Sequence, residues 1–441
     1  MSSSDLSITV RARPERSRNH ELGVRAHFSI LCSNDLTGVV LIMQVLVVFV
    51  RFFVLGLISF GGPAAHIGYF QKEFVDRLKW ISVDHYGKLV ALSQFLPGPG
   101  SSQVGFAIGL ERAGLLGGVA AFIGFTLPSF LLMFLLATLG QHFLGMPLYS
   151  GVIAGLKLLA VIVVADAVLT MYGAFCQRRL HQCIAFGTAI ILLCLPGIEW
   201  QVLVLLLAAI MGSIGAHRRN SDKKSPETND HEAELIQSNT HTVTSKIAML
   251  VFVAGWFGVL FVPEVHSFFT LFADFFHAGS LVFGGGHVVL PLLQETVGDA
   301  LTPDQFLSGY AAAQAVPGPM FSLATYLGVQ LLPSSPLMGA LIATLGIFLP
   351  GFLLVLVLQN YWLRLSRQSL IAGSVAAINA AVVGLLLTAL YDPVFVSAVT
   401  SRVDFAVIIL GLVLLRLFRF HIIWLVVVAL TYGGITQIAF V

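Results

Sequence analysis

Four short stretches hold the residues best suited to bind an anion with few formal charges. Phe60-Gly61-Gly62-Pro63 and Pro97-Gly98-Pro99-Gly100-Ser101-Ser102 lie in the first half of the chain. Gly284-Gly285-Gly286-His287 and Pro317-Gly318-Pro319, with Ser322 close behind, lie in the second. Glycine lets the backbone turn sharply, and proline suits the first turn of a helix, where its missing N–H would be unpaired anyway. Each stretch therefore reads as a break from which a helix restarts, aiming unpaired backbone N–H groups into the gap. Such an end carries roughly half a positive charge and is a ready anion site. Ser101 and Ser102 can cap the next helix or donate from their hydroxyls. Gln94 and Gln314 each stand three residues before a Pro-Gly-Pro. His66 and His287 follow the glycine breaks and could donate to an anion, carry a proton, or simply bond a backbone carbonyl. One such motif reads equally well as a packing kink. Four in matching places point to a shared site.

The elements that must position these residues lie in lipid. The 441 residues are 57% hydrophobic and 10% charged, against about 25% charged in a soluble domain. No soluble fold of this size could bury that much apolar surface. Four cysteines, Cys32, Cys176, Cys183 and Cys194, form no metal-type spacing; buried free thiols are expected, with no metal, cofactor or nucleic-acid partner.

The chain is an internal duplication. Leu57–Pro63 matches Ser280–Gly286, Gln94–Pro99 matches Gln314–Pro319, Phe125–Pro128 matches Ile347–Pro350, and Ile153–Gly155 matches Ile371–Gly373, in the same order at offsets of 218 to 223. The organisation reads as a basic cytoplasmic tail over 1–36, poorly ordered; a first membrane repeat over 37–216; a polar cytoplasmic linker over 217–246; a connecting helix over 247–262; and a second repeat over 263–441. The unmatched connecting helix would turn the second repeat upside down. Charge agrees: Lys72, Arg77 and Lys79 sit in one loop, while its mate over 294–305 holds Glu295, Asp299 and Asp304 and no Lys or Arg. The fold class is thus an all-α membrane protein of two inverted-topology helical repeats, with broken or re-entrant helices at mid-membrane.

Full spans are expected near 114–140, 149–174, 181–197, 199–216, 247–262, 336–358, 369–391, 403–418 and 420–439. Broken pieces are expected over 38–60 with 63–78, 82–96 with 101–112, 266–283 with 286–298, and 303–316 with 320–332. Irregular backbone at such depth is tolerated where it lines a cavity or is buried in protein. Lys157 and Asp166 lie inside an apolar span, on roughly opposite sides of the helix, and Asn379 lies on the matching helix. Intramembrane charges are functional candidates; Lys157 reads as an anion ligand, a gate or a structural ion-pair partner. Glu111 and Arg112, at a helix end, read as a surface ion pair.

These residues resemble the chromate ion transporter (CHR) family in its long two-domain form. The resemblance rests on Ser59–Phe70, Ala91–Gly105, Gly124–Ser129, Val282–Pro291 and Gln314–Met320, and covers about residues 40–440. It implies chromate efflux driven by the proton motive force, chromate resistance, and inverted halves. The basic tail, Arg51 and Lys157 depart from the family pattern. Chromate and sulfate, both tetrahedral dianions, are the expected substrates, in a bacterial inner membrane, and a homodimer is compatible with the reading. A membrane-embedded enzyme acting on a phosphorylated lipid would share the anion site. It would also need a carboxylate cluster for metal or a nucleophile with its base, and the sequence offers neither.

Overall fold

The computed structural model describes residues 39–60, 62–140, 147–221, 242–258, 268–283, 286–359, 368–420 and 422–439. The tail over 1–36, most of the linker, and Gly61, Gly284 and Gly285 lie outside the described residues. The described chain is all helical. In the first half α1 is Val39–Ile58, α2 is Gly62–Phe70, running on as a wider π turn over Gln71–Arg77, and α3 is Val83–Phe95. Then come α4 (Gly100–Gly140), α5 (Pro147–Phe175), α6 (Arg179–Cys194) and α7 (Ile198–Ser221). Helix α8 (Thr242–Gly258) connects to the second half. That half holds α9 (Phe268–Leu281), α10 (Val289–Val297), α11 (Pro303–Ala315) and α12 (Leu323–Leu331). It ends with α13 (Pro336–Leu358), α14 (Ser369–Ala389), α15 (Arg402–Arg416) and α16 (Ile422–Ala439).

Six helices among the described residues are long and apolar enough to cross a membrane: α1, α4, α5, α7, α13 and α14. Their outward faces carry exposed Leu, Ile, Val and Phe, such as Ile42, Leu116, Leu206 and Leu345, which suits contact with lipid tails. Several expectations are corrected here. The segment over 38–60 contains an unbroken 20-residue helix long enough to span, because its glycine break falls only at its end. The expected spans over 181–197 and 403–418 are helices of 16 and 15 residues, below that length; those over 247–262 and 420–439 run to the edge of the described residues. Cys183 and Cys194 are exposed and only Cys176 is buried; Cys32 lies outside the described residues.

Helix α4 is a hairpin rather than a rod. Ala113 (φ −146°) and Gly114 (φ +63°) leave helical geometry and reverse the chain. The arms over 100–112 and 115–140 then pack so closely that a Cβ on Gly109 would stand 2.3 Å from the Gly117 carbonyl oxygen. The second half repeats this between α12 and α13, where a Cβ on Gly328 would stand 2.2 Å from the Gly339 oxygen. Backbones can meet this closely only without side chains, the association device of membrane helices.

Other contacts also recur at matching positions. Gly56 of α1 meets Gly124 and Phe125 of α4, as Gly279 of α9 meets Ile347 of α13. The last helices are exchanged between halves. Helix α5 packs on α16, with Gly155 against Ala429, and α14 packs on α7, with Gly373 against Gly212. An aromatic stack of Phe106 on Phe352, with Phe122 against Phe348, joins α4 to α13. The two halves therefore share one core.

Candidate functional site

The chain is broken at both Pro-Gly-Pro stretches. Gly98 has φ +122° and Gly318 φ +105°, values that disfavour any side chain. Residues 96–99 and 316–319 are non-helical, and helices restart at Gly100 and at Met320, the latter first as a 3-10 turn. At the other breaks, Gly62 (φ +75°) starts α2 and Gly286 starts a 3-10 turn that leads into α10.

The four breaks meet. The Gly98 N–H donates to the Val282 carbonyl at 2.7 Å, and the Gly318 N–H donates to the Ser59 carbonyl at 2.9 Å. Gly98 matches Gly318 and Val282 matches Ser59 in the two halves. Each Pro-Gly-Pro thus ties itself to the end of the other half's first helix. Within the first half His66 Nδ1 pairs with Ser101 Oγ at 3.2 Å. Between halves a Cβ on Gly286 would stand 3.2 Å from Pro63 and 3.4 Å from Met320 Sδ. Gln314 Nε2 reaches Met320 Sδ at 3.2 Å. Pro97 is held by Gln103, whose Nε2 donates to the Pro97 carbonyl at 2.8 Å and the Gly351 carbonyl at 3.3 Å.

This convergence is unusually rich in unsatisfied polar atoms. The hydroxyls of Ser59, Ser102, Thr126 and Ser322 and the Gln103 Oε1 are buried without a hydrogen-bond partner. His66 Nε2, beside the Ser59 backbone, lacks a hydrogen bond of good geometry. Buried polar groups are nearly always paired, so a cluster of orphans calls for an explanation such as a bound ion. Ser102 and Ser322 occupy matching positions, so the orphans follow the duplication.

A cavity of about 550 Å³ leads to this region. Its inner wall includes Gly62, His287 and Gln314, and its outer wall carries Lys72, Tyr69 and Arg419. Asp166 also lines it, but is engaged by Arg416, with Nε to Oδ1 at 2.7 Å. His287 Nδ1 pairs with the Tyr310 hydroxyl at 3.2 Å.

The sequence-derived candidates separate accordingly. Gly62, Pro63, His66, Pro97, Gly98, Pro99, Ser101, Ser102, Gly286, His287, Gln314, Pro317, Gly318, Pro319 and Ser322 sit at the convergence or on its cavity wall. Gly61, Gly284 and Gly285 lie outside the described residues. Gln94 is exposed, whereas its mate Gln314 is buried. Lys157 forms an ion pair with Asp304 and approaches the Ser397 carbonyl, away from the cavity wall. Asn379 is buried with Oδ1 unpartnered, also off that wall. Glu111 and Arg112 do not pair with each other: Glu111 bonds His85, and Arg112 lies over the Trp80 ring at 5.1 Å. Four contributors were missed. Gln103 stands one residue beyond Ser102, and its place beside a helix start was the available signal. Lys72, Tyr69 and Arg419 mark a loop and a helix end in the sequence, and only the fold brings them to one mouth.

Among the described residues no group of three or more His, Cys, Asp or Glu could hold a metal ion. The geometry instead offers neutral donors, helix starts and a basic mouth.

Comparison with known proteins is consistent with that chemistry. The chromate transporter family matches residues 46–213 and 269–434, one stretch in each half. The chain is 29% identical to the chromate transport protein of Pseudomonas aeruginosa over 77% of this chain and 78% of that protein. It is 26% identical to the chromate transport protein of Cupriavidus metallidurans over 85% and 87%, respectively. It is 25% identical to a probable chromate transport protein of Synechococcus elongatus over 82% and 87%. No solved structure matches. With both halves matched and the breaks in register, this chain is a multi-pass membrane protein of the chromate transporter family.

Proposed function

We propose that the protein is a secondary active transporter that exports chromate across a bacterial inner membrane, coupled to the proton motive force. The observation that carries this reading is the meeting of four chain breaks, lined with orphaned hydroxyls, at the end of a cavity with a basic mouth. A tetrahedral dianion leaving water needs many donors at once. Ser102, Ser322, Ser59, the Gln314 amide and the restarting helix ends supply them. Their field is weakly screened in a low-dielectric interior.

The two halves are read as inverted repeats. The reciprocal Gly98–Val282 and Gly318–Ser59 bonds support a two-fold relation between them. Rocking one half against the other around the breaks would then alternate access. The cavity with Lys72 and Arg419 is the cytoplasmic entrance in this reading, as the excess of basic residues there suggests. Lys157 with Asp304 would hold the opposite side shut.

Sulfate is the second reading, because the same donors fit either tetrahedral dianion. The test is purified protein in proteoliposomes with labelled chromate and imposed pH gradients. Saturable uptake that follows the gradient and resists excess sulfate supports chromate export. Uptake abolished by sulfate assigns sulfate instead. No gradient-driven flux of either anion ends the transport reading.

A further inference from the structure

A second cavity, of about 400 Å³, carries the opposite chemistry. Gln201, Gln294, Glu295, Asp299, Thr388 and Asp392 line it, and no Lys, Arg or His does among the described residues. It lies toward the other end of the bundle. Helix α14 runs alongside α6, with Gly384 at Ala185 and Thr388 bonding the Ala189 carbonyl, so both helices finish at this cavity. The basic mouth lies near the C-terminal ends of α5 and α15 instead.

Three features of this cavity want a cation. First, none of the Glu295, Asp299 and Asp392 carboxylates forms an ion pair with a described residue. Second, the Oε1 atoms of Gln201 and Gln294 are buried acceptors without a partner, and Gln201 is only 4% exposed. Third, the C-terminal ends of α6 and α14 bring partial negative charge. Partial desolvation at the cavity wall, then the charges of Asp299 and Glu199, push the Glu295 carboxyl above its ordinary range, as expected where negative charge accumulates unbalanced.

We propose that this cavity binds one alkali-metal cation, held by oxygen ligands with part of its hydration shell. A proton on one carboxylate could satisfy at most one of the two amide oxygens, and amides do not titrate near neutrality. A dehydrated divalent ion would want several converging carboxylates, and no such group forms among the described residues. Thr388 donates its hydroxyl to the Gly384 and Ala189 carbonyls, which leaves its own oxygen free to accept. The inference does not depend on the oxyanion reading, since it concerns a separate cavity.

The test is binding of ²²Na⁺ and, in parallel, ⁸⁶Rb⁺ to the full chain in nanodiscs, in buffer free of chromate and sulfate. Saturable binding of one of the two ions is expected. Glu295→Gln and Gln201→Leu should each weaken it tenfold or more, while Asp84→Asn, on an exposed carboxylate paired with Lys88, should not. Glu295 is exposed, so its variant keeps the test sound if Gln201→Leu folds poorly. Absence of saturable binding of either ion overturns the proposal. So does binding that survives both variants, or a response to protons alone.

Discussion

Ser102 and Ser322 hold matching positions in the two halves, and each hydroxyl is buried without a partner. A hydroxyl that bonds nothing in the empty protein costs stability rather than adding to it. Ser102→Ala and Ser322→Ala should therefore leave the melting temperature unchanged or slightly raised. Each should weaken chromate binding by about tenfold, the loss of a hydrogen bond to a charged group worth about 1.5 kcal/mol. Thermal melts and labelled-chromate binding on the same preparations check both signs. Gly98 should behave oppositely. Its φ of +122° and the Gly351 Cα, 2.9 Å from where a Cβ would stand, leave no room for a side chain. Gly98→Ala should destabilise by about 1–3 kcal/mol, whereas Gly173→Ala, with nothing within 4 Å, should not; denaturation in detergent measures the difference. At this scale the sequence exposed the glycines and prolines, because their backbone roles are local; the serines were found beside them, though Ser101 bonds His66 and neither the Ser102 nor the Ser322 hydroxyl caps a helix. It misled on Gln94, which mirrors Gln314 in sequence yet is exposed. The two halves present matching residues to different surroundings.

The elements are held by backbone contact at glycines more than by polar pairs. Gly155 meets the Ala429 carbonyl and Gly373 meets Gly212, so α5 and α14 each lean on the other half's final helices. Gly155→Val should displace α16 and reduce expression and melting temperature. The same change at Gly187, with nothing within 4 Å, should be tolerated. The ion pair of Lys157 with Asp304 ties α5 to the start of α11. Lys157 is nearly buried and Asp304 mostly exposed, so Asp304→Asn strands the lysine and should cost about 1–3 kcal/mol. Exchanging the two residues should recover part of that loss in a double-mutant cycle. Helix positions and the duplication were legible from apolar runs and repeated motifs. The exchange of final helices was not. A helix apolar all round gives no sign of which face meets protein and which meets lipid.

Across the whole molecule, charge is sorted between two cavities. One mouth carries Lys72 and Arg419, the other Glu295, Asp299 and Asp392. The opposed charge of the two matching loops was readable in the sequence, whereas their use as walls of separate cavities required the fold. Replacing Lys72 and Arg419 together by Gln should raise the KM for chromate about fivefold, near 1 kcal/mol for exposed charges. It should also flatten the dependence of flux on ionic strength. The central proposal is that a dianion sits where the four breaks meet. The most direct check is a structure of the protein soaked in chromate, with chromium located by its anomalous scattering. One principal peak is expected, with surrounding oxygens about 3 Å from the Ser102 and Ser322 hydroxyls. Chromium bound only at the outer mouth or beside Glu295, or no peak at saturating chromate, would contradict the proposal.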